Sequence, residues 1–301
     1  MTANIRCHLQ LIAMALLWGA TWSWGRVVVQ TLSPLTAAAL RLLLATVPLT
    51  LWLLYREGRA SFMQLNARQW LGLSAAAACG VCGYAVFFML ALQYVPAGKA
   101  ATVVALNPVP PLLLAAWLFK EKLNGGILCG MVLAVLGALT AIARGNPFAI
   151  FSGGVSVGEY LLLATVLCWT GYALISRVLL RGISPLTTTT VTILIGALML
   201  LVLALAFDGG VFWQQTLHAP VRTWGILAAM ALGGTMLCYL WYFDGIHHLG
   251  VGTATSYMTL VPVFGITIAT FWLREPLHTS LLVGGTMVVA GMWLMNYAGR
   301  H

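Results

Sequence analysis

Ten apolar runs of about 20 residues each take up most of the chain: 8–29, 35–55, 69–92, 97–118, 124–143, 158–178, 185–206, 223–244, 250–272 and 279–298. A run of that length matches the roughly 30 Å hydrocarbon core of a bilayer. Hydrocarbon offers backbone N–H and C=O groups no partner, so each run must satisfy its own as a helix. A membrane β-barrel would alternate polar and apolar residues in shorter segments, and these runs do not alternate. Only 7% of the 301 residues are charged, against about 25% in soluble domains. That is too few to wet one globule. The sequence therefore predicts an all-α integral membrane protein with ten spans.

The basic excess, 15 Lys and Arg against 6 Asp and Glu, forms no patch of the kind that binds nucleic acid. The residues stand singly at run ends, where basic residues record topology. With the N-terminus cytoplasmic, Arg6, Arg56, Arg59, Arg68, Lys120, Lys122, Arg177, Arg181 and Arg300 fall inside. Lys99, Arg144, Arg222 and Arg274 fall in external loops, and Arg26 and Arg41 near the outer ends of the first two helices. This bias predicts both termini inside. Trp18, Trp22 and Trp24 stand where a signal peptide would carry small cleavage-site residues, so the first helix is read as retained. Cys79 and Cys82 have C-x-x-C spacing. They are read as small residues on one helical face, because no second Cys or His pair follows at zinc-site spacing.

The two halves of the chain repeat. At a shift of 154, Arg68 falls on Arg222, Trp70 on Trp224, Gly80 on Gly234, Gly98 on Gly252 and Pro108 on Pro262; Glu121, Gly130 and Gly137 fall on Glu275, Gly284 and Gly291. At a shift of 151, Trp18 falls on Trp169, Arg26 on Arg177, and Ser33-Pro34-Leu35-Thr36 on Ser184-Pro185-Leu186-Thr187. Each copy holds five helices, an odd number, so the second enters the membrane from the opposite side. The result is an inverted repeat about an axis in the membrane plane, a common frame for alternating access. The predicted units are 1–147 and 148–301, joined by an external Gly- and Ser-rich linker over 144–157.

Four segments, LLWGATWSWGR (16–26), SPLTAAALR (33–41), VPAGKAATVVALNPVPPLLLAAWLFKEKL (95–123) and LGVGTATSYMTLVPVFGITIATFWLREPL (249–277), resemble the EamA-type branch of the drug/metabolite transporter superfamily. The resemblance covers nearly the whole chain. It implies a central cavity between the halves, open to each side in turn. The hairpins of helices 3–4 and 8–9 would be the gates, and helices 5 and 10 the supports. It also implies a bacterial inner-membrane location and export of small solutes, among them amino acids, metabolites and drug-like amphiphiles. The partners it implies are a small-molecule solute and membrane lipid, with no cofactor or nucleic acid; a homodimer is compatible with it.

Several residues compete between a site role and a packing role. Pro108, Pro110, Pro111 and Pro262 remove backbone donors and interrupt helices 4 and 9; they are read as gating breaks, the alternative being static kinks. Asn107 beside them is polar at mid-membrane depth. Trp18, Trp22, Tyr84, Trp169, Tyr172, Tyr239 and Tyr257 lie deeper than the interfacial belt. They are candidates to line a cavity for a planar or cationic solute. Arg41 either snorkels or docks an anion with its forked guanidinium.

No Asp or Glu lies mid-helix, where proton-coupled carriers keep a titrating group. Asp244 with His247 and His248 is the one candidate titrating cluster, weighed against an ordinary wetted loop. No nucleophile–His–acid set, phosphate loop or metal constellation is visible. A membrane-embedded enzyme and a non-transporting scaffold remain the alternatives to a carrier. In a background without native cysteines, a cysteine at Asn66 should react with an impermeant reagent only from the cytoplasm, and one at Ser152 only from outside. Reaction of both from one side would contradict the odd-numbered repeat.

Overall fold

The computed structural model describes residues 2–120, 123–142, 156–180 and 182–299. Ten helices in it are long and apolar enough to cross a membrane. They are α1 (Ile5–Val28), α2 (Pro34–Glu57), α3 (Ala67–Tyr94), α4 (Ala97–Phe119), α5 (Gly125–Ile142), α6 (Val157–Leu179), α7 (Pro185–Phe207), α8 (Val221–Leu249), α9 (Thr253–Trp272) and α10 (Thr279–Ala298). The described residues hold no strand. The ends fall within a few residues of the expected runs. Two short helices outside the spans, Ala60–Met63 and Gly210–His218, carry no apolar run long enough to have been noticed. Residues 144–155 of the expected linker, the boundary at 147/148, and Glu121, Lys122, Arg144, Ser152, Arg181 and Arg300 lie outside the described residues.

Both copies interlock through equivalent contacts. In α5 and α10, a Cβ on Gly130 would lie 2.7 Å from the Gly291 carbonyl oxygen, and one on Gly137 would lie 2.6 Å from that of Gly284. The four glycines are pairwise equivalent under the 154 shift. Only glycine lets these backbones touch, the usual device where lipid supplies no hydrophobic force between helices.

The Ser-Pro-Leu-Thr repeat acts at α2 and α7. Ser33 Oγ accepts from the Thr36 N–H at 3.1 Å, capping α2. It also donates to Asp208 Oδ2, as Thr36 Oγ1 does at 2.7 Å. In the mirror arrangement, Ser184 Oγ accepts from the Thr187 N–H at 3.0 Å, and Glu57 at the end of α2 accepts from Ser184 Oγ at 2.7 Å and Thr187 Oγ1 at 2.7 Å. Glu57 and Asp208 are 151 apart. Each helix thus ends in a carboxylate set against the positive N-terminal end of its antiparallel neighbour.

Two spans are segmented and two are locally widened, again at equivalent places. The regular helix of α4 stops at Val104 and resumes at Val109, while that of α9 stops at Tyr257 and resumes at Leu260. Pro110, Pro111 and Pro262 occupy first turns of the resumed segments, where a missing N–H costs no helical hydrogen bond. In α3 and α8 the turns Ala77–Gly83 and Ala229–Leu237 are π-helical. Lys120 and Arg274, 154 apart, both close their helices at positive φ, 54° and 55°.

Lys99 is not in a loop. It is buried in α4, where its ammonium meets the Glu159 carboxylate and donates to the Ile142 carbonyl at 3.2 Å. A buried cation persists only when paired, and Glu159, at the first turn of α6, supplies the pair. Arg26 likewise does not reach outward but donates to the Leu92 carbonyl.

The latches differ in exposure: Asp208 is half-buried and Glu57 exposed. Hydrogen bonds to a charged group contribute about 1.5–3 kcal/mol when desolvated, and less in water. Asp208→Ala should lower the unfolding free energy by about 1–2 kcal/mol, and Glu57→Ala by less than half as much. Thermal unfolding midpoints of the two variants in one detergent check the order; a reversed order would contradict it.

Candidate functional site

The π turns decide what faces the middle of the bundle. Each lies against the first helix of the other half. Gly80 in α3 lies directly against the Tyr172 ring of α6, and Gly234 in α8 against Thr21 of α1. Thr21 and Tyr172 are themselves 151 apart, so the two crossings are one contact made twice. A π turn leaves carbonyls without their usual helical donor, and one is met from outside: Trp18 Nε1 donates to the Gly234 carbonyl at 3.0 Å. Immediately after the π turns come Tyr84 in α3 and Cys238-Tyr239 in α8.

Around these turns the aromatics form two clusters. Trp18 packs on Tyr239 and Tyr242, each with ring centroids 5.8 Å apart. Trp169 packs on Tyr84 at 5.9 Å and on Tyr172 at 5.4 Å. Arg41 joins them. Its side chain is half-buried, lies with the guanidinium carbon 5.6 Å from the Phe88 ring centroid, and is close enough to interact electrostatically with Tyr84 and Tyr239. The second-half equivalent of Arg41 is Thr192, whose side chain faces the Tyr172 hydroxyl. Tyr239 in turn lies near Tyr84 and Tyr172. The structure thus brings Trp18, Arg41, Tyr84, Trp169, Tyr172 and Tyr239 together from α1, α2, α3, α6 and α8. All six keep accessible surface despite their central position.

The polarity of this cluster is one-sided. Among the described residues no carboxylate pairs with Arg41, and its Nε has no hydrogen-bond partner. Asn107, in the α4 break, lies beside the Tyr84 hydroxyl, and its Oδ1 has no partner.

Other candidates fall elsewhere. Trp22 is only 5% exposed and packs 4.8 Å from Phe88 in the main core, because its face of α1 turns toward the α4–α9 crossing rather than toward α8. Tyr257 sits at the end of the bundle that carries the N-terminus, where its hydroxyl meets His8 Nδ1 at 2.7 Å. Pro108 lines a separate cavity of about 240 Å³ with Leu112, Thr255, Met292, Met295 and Asn296, between α4, α9 and α10. Pro262 is buried close to α1, where Gly19 abuts the Val261 carbonyl.

Asp244, His247 and His248 belong to the last turns of α8 and not to a loop. Asp244 and His248 approach to 3.4 Å, while His247 stacks edge-on against His248 at 4.8 Å. Cys7 of α1 joins Asp244 and His248, with donor atoms of all three within 4.8 Å of one another. Reading by spacing missed this group, because its members are 237 and 241 positions apart. The π turns were missed as well; their trace in the sequence is the paired glycines Gly80 and Gly234.

Comparison with known proteins agrees with this architecture. Residues 5–143 and 156–297 each match the EamA-like transporter family. The uncharacterized transporter YyaM of Bacillus subtilis is 28% identical over 96% of this chain and 93% of its own length. A probable terminal-alkyne amino-acid exporter of Streptantibioticus cattleyicolor is 26% identical over 88% of this chain and 82% of its own. A solved crystal structure superposes with a TM-score of 0.62 at 18% identity over 98% of both chains, a likeness of fold. With the family matched across both halves of a ten-helix bundle, the chain belongs to the EamA-like transporter family and is a multi-pass membrane transporter, not an enzyme.

Proposed function

We propose that this transporter is a secondary exporter of small amphiphilic solutes that carry a carboxylate, with amino acids as the leading class. It would work by alternating access through the central aromatic cluster, in a bacterial inner membrane with both termini cytoplasmic. The observation that carries the reading is Arg41, a half-buried guanidinium beside Tyr84, Tyr239 and Phe88 that pairs with no carboxylate among the described residues. A cation at membrane depth without an anion is costly. A solute carboxylate would supply the missing partner in bidentate geometry. The indoles and phenols around it suit an apolar or planar side chain. The exporter from Streptantibioticus cattleyicolor, named for an amino-acid substrate, is in keeping with that class.

The two repeats, 1–147 and 148–301, would move against each other about the pseudo-two-fold axis, with the Pro108 and Pro262 breaks letting α4 and α9 flex. No phosphate-binding loop is present in the sequence, so solute or ion gradients would drive transport. Every described carboxylate already has a structural partner. Glu57 and Asp208 latch α2 to α7, Glu159 holds Lys99, Glu275 caps α4 through the Ala97 and Gly98 N–H groups, and Asp244 lies beside His248. None is left for a proton relay.

Liposomes with the purified protein should exchange labelled amino acids faster than the corresponding amides or amphiphilic cations. Equal movement of all three, or of none, would overturn the reading. Counterflow should persist with the pH gradient collapsed; an inward proton current accompanying export would contradict the absence of a relay. Stacking contributes about 0.5–1.5 kcal/mol beyond burial. Trp18→Ala and Trp169→Ala should therefore each weaken apparent solute affinity about two- to ten-fold at normal membrane abundance. Trp224→Ala, on an apolar groove between α2 and α8, should leave it unchanged. An equal effect from all three would make these tryptophans structural.

A further inference from the structure

We infer that Cys7, Asp244 and His248 form a binding site for a divalent transition-metal cation of zinc type, and that the ion staples α1 to the end of α8. The geometry is that of a seam. Along it, Met14 lies beside Cys238, whose thiol donates to the Met14 carbonyl at 3.5 Å, and Leu11 fills the gap left by Gly245. One turn further on, Cys7 comes opposite Asp244 and His248. Asp244 and His248 are four apart on α8, which puts both on one helical face.

The donor set is suited to zinc. Thiolate, imidazole and carboxylate are its ordinary ligands. A soft sulfur selects against magnesium and calcium, which take oxygen. The donor atoms lie within 4.8 Å of one another. Zinc–ligand bonds of about 2.0–2.3 Å place tetrahedral ligands about 3.6 Å apart, so closure needs a shift of about 1 Å. His248, with a side chain 44% exposed, is free to make it. His248 Nδ1 lies 3.0 Å from the Asp244 backbone carbonyl. In the tautomer that donates Nδ1–H to this carbonyl, a common orientation for metal-bound histidines, Nε2 would be the ligand nitrogen.

The neighbouring His8 is engaged with Tyr257 and Arg6 is exposed, so neither occupies the site. Binding releases one proton, from the Cys7 thiol. Thiolate, carboxylate and neutral imidazole around a doubly charged ion give a neutral complex, suited to a site at the edge of the membrane. The fourth position remains for water.

The site has a consequence for transport. The seam it closes leads through Met14 and Cys238 to Trp18 and Tyr239, which face the central cluster. A metal bridge would hold α1 on α8 and resist any step that parts them.

Cobalt(II) is the probe, because thiolate coordination gives a sulfur-to-cobalt charge-transfer band. The full-length protein in nanodiscs, with any affinity tag removed, is titrated with cobalt and back-titrated with zinc. The wild type should show the band at one ion per chain and lose it to zinc. Cys7→Ser should lack the band, and His248→Ala should bind at least about ten-fold more weakly. His248→Ala alters an exposed side chain and decides the matter if Cys7→Ser does not fold. Micromolar zinc should slow counterflow in the wild type and not in His248→Ala. No band in the wild type, or a band unchanged in the variants and so due to other cysteines, would overturn the site. Zinc binding without any slowing would overturn the staple.

Discussion

In hydrocarbon, a polar group without a partner costs several kcal/mol, and that constraint organises the whole molecule. Ten uninterrupted helices would satisfy it most simply. The described residues depart from that solution in four places, the π turns of α3 and α8 and the breaks of α4 and α9. At three of them a side-chain contact forms at the irregular backbone, from another helix at the π turns and from within the break at α4. Trp18 reaches the Gly234 carbonyl, Tyr172 lies on Gly80, and Asn107 turns toward Tyr84. Irregular backbone is tolerated at membrane depth where protein or a cavity covers it. These departures therefore mark where the interior is built for something other than packing.

Charged groups are handled the same way. Carboxylates cap helices or hold Lys99, and the reciprocal latches of Glu57 and Asp208 fasten α2 and α7 at opposite ends. The latches and the glycine contacts of α5 with α10 repeat under the same pseudo-two-fold relation, so each of these contacts occurs twice. Arg41 breaks that symmetry. Its counterpart is the neutral Thr192, and among the described residues Arg41 stands in the central cluster without a carboxylate partner. A carrier working by rocking such halves can have two symmetric gates and still one polar recognition group.

The spans were legible because lipid imposes a single length and a single kind of helix; α10 begins and ends where its apolar run does. The repeat was legible because Trp, Pro, Arg and Glu rarely coincide by chance. The Ser-Pro-Leu-Thr motif was visible as a repeat, while its meaning was not, since Asp208 is 175 and 172 positions from Ser33 and Thr36, and Glu57 is 127 and 130 from Ser184 and Thr187. Trp22 and Trp18 share a helix and a four-residue spacing, yet Trp18 packs on Tyr239 in the central cluster while Trp22 is buried behind Phe88. The offset of about 40° between positions four apart on a helix separates core from cavity here, and which of the two faces which is set by packing, not by local sequence. Lys99 looked like a loop residue at a span end because its partner, Glu159, lies at the far side of the linker.

The central claim is that Arg41 recognises a solute carboxylate inside the aromatic cluster, and equilibrium binding tests it without relying on turnover. Intrinsic tryptophan fluorescence of the detergent-purified protein can follow titration with an aromatic-free amino acid and with its amide, which lacks the carboxylate charge. A desolvated charged hydrogen-bond pair contributes about 1.5–3 kcal/mol. The wild type should thus bind the acid at least about ten-fold more tightly than the amide, and Arg41→Gln should bind both alike. An acid preference that survives in folded Arg41→Gln would contradict the account.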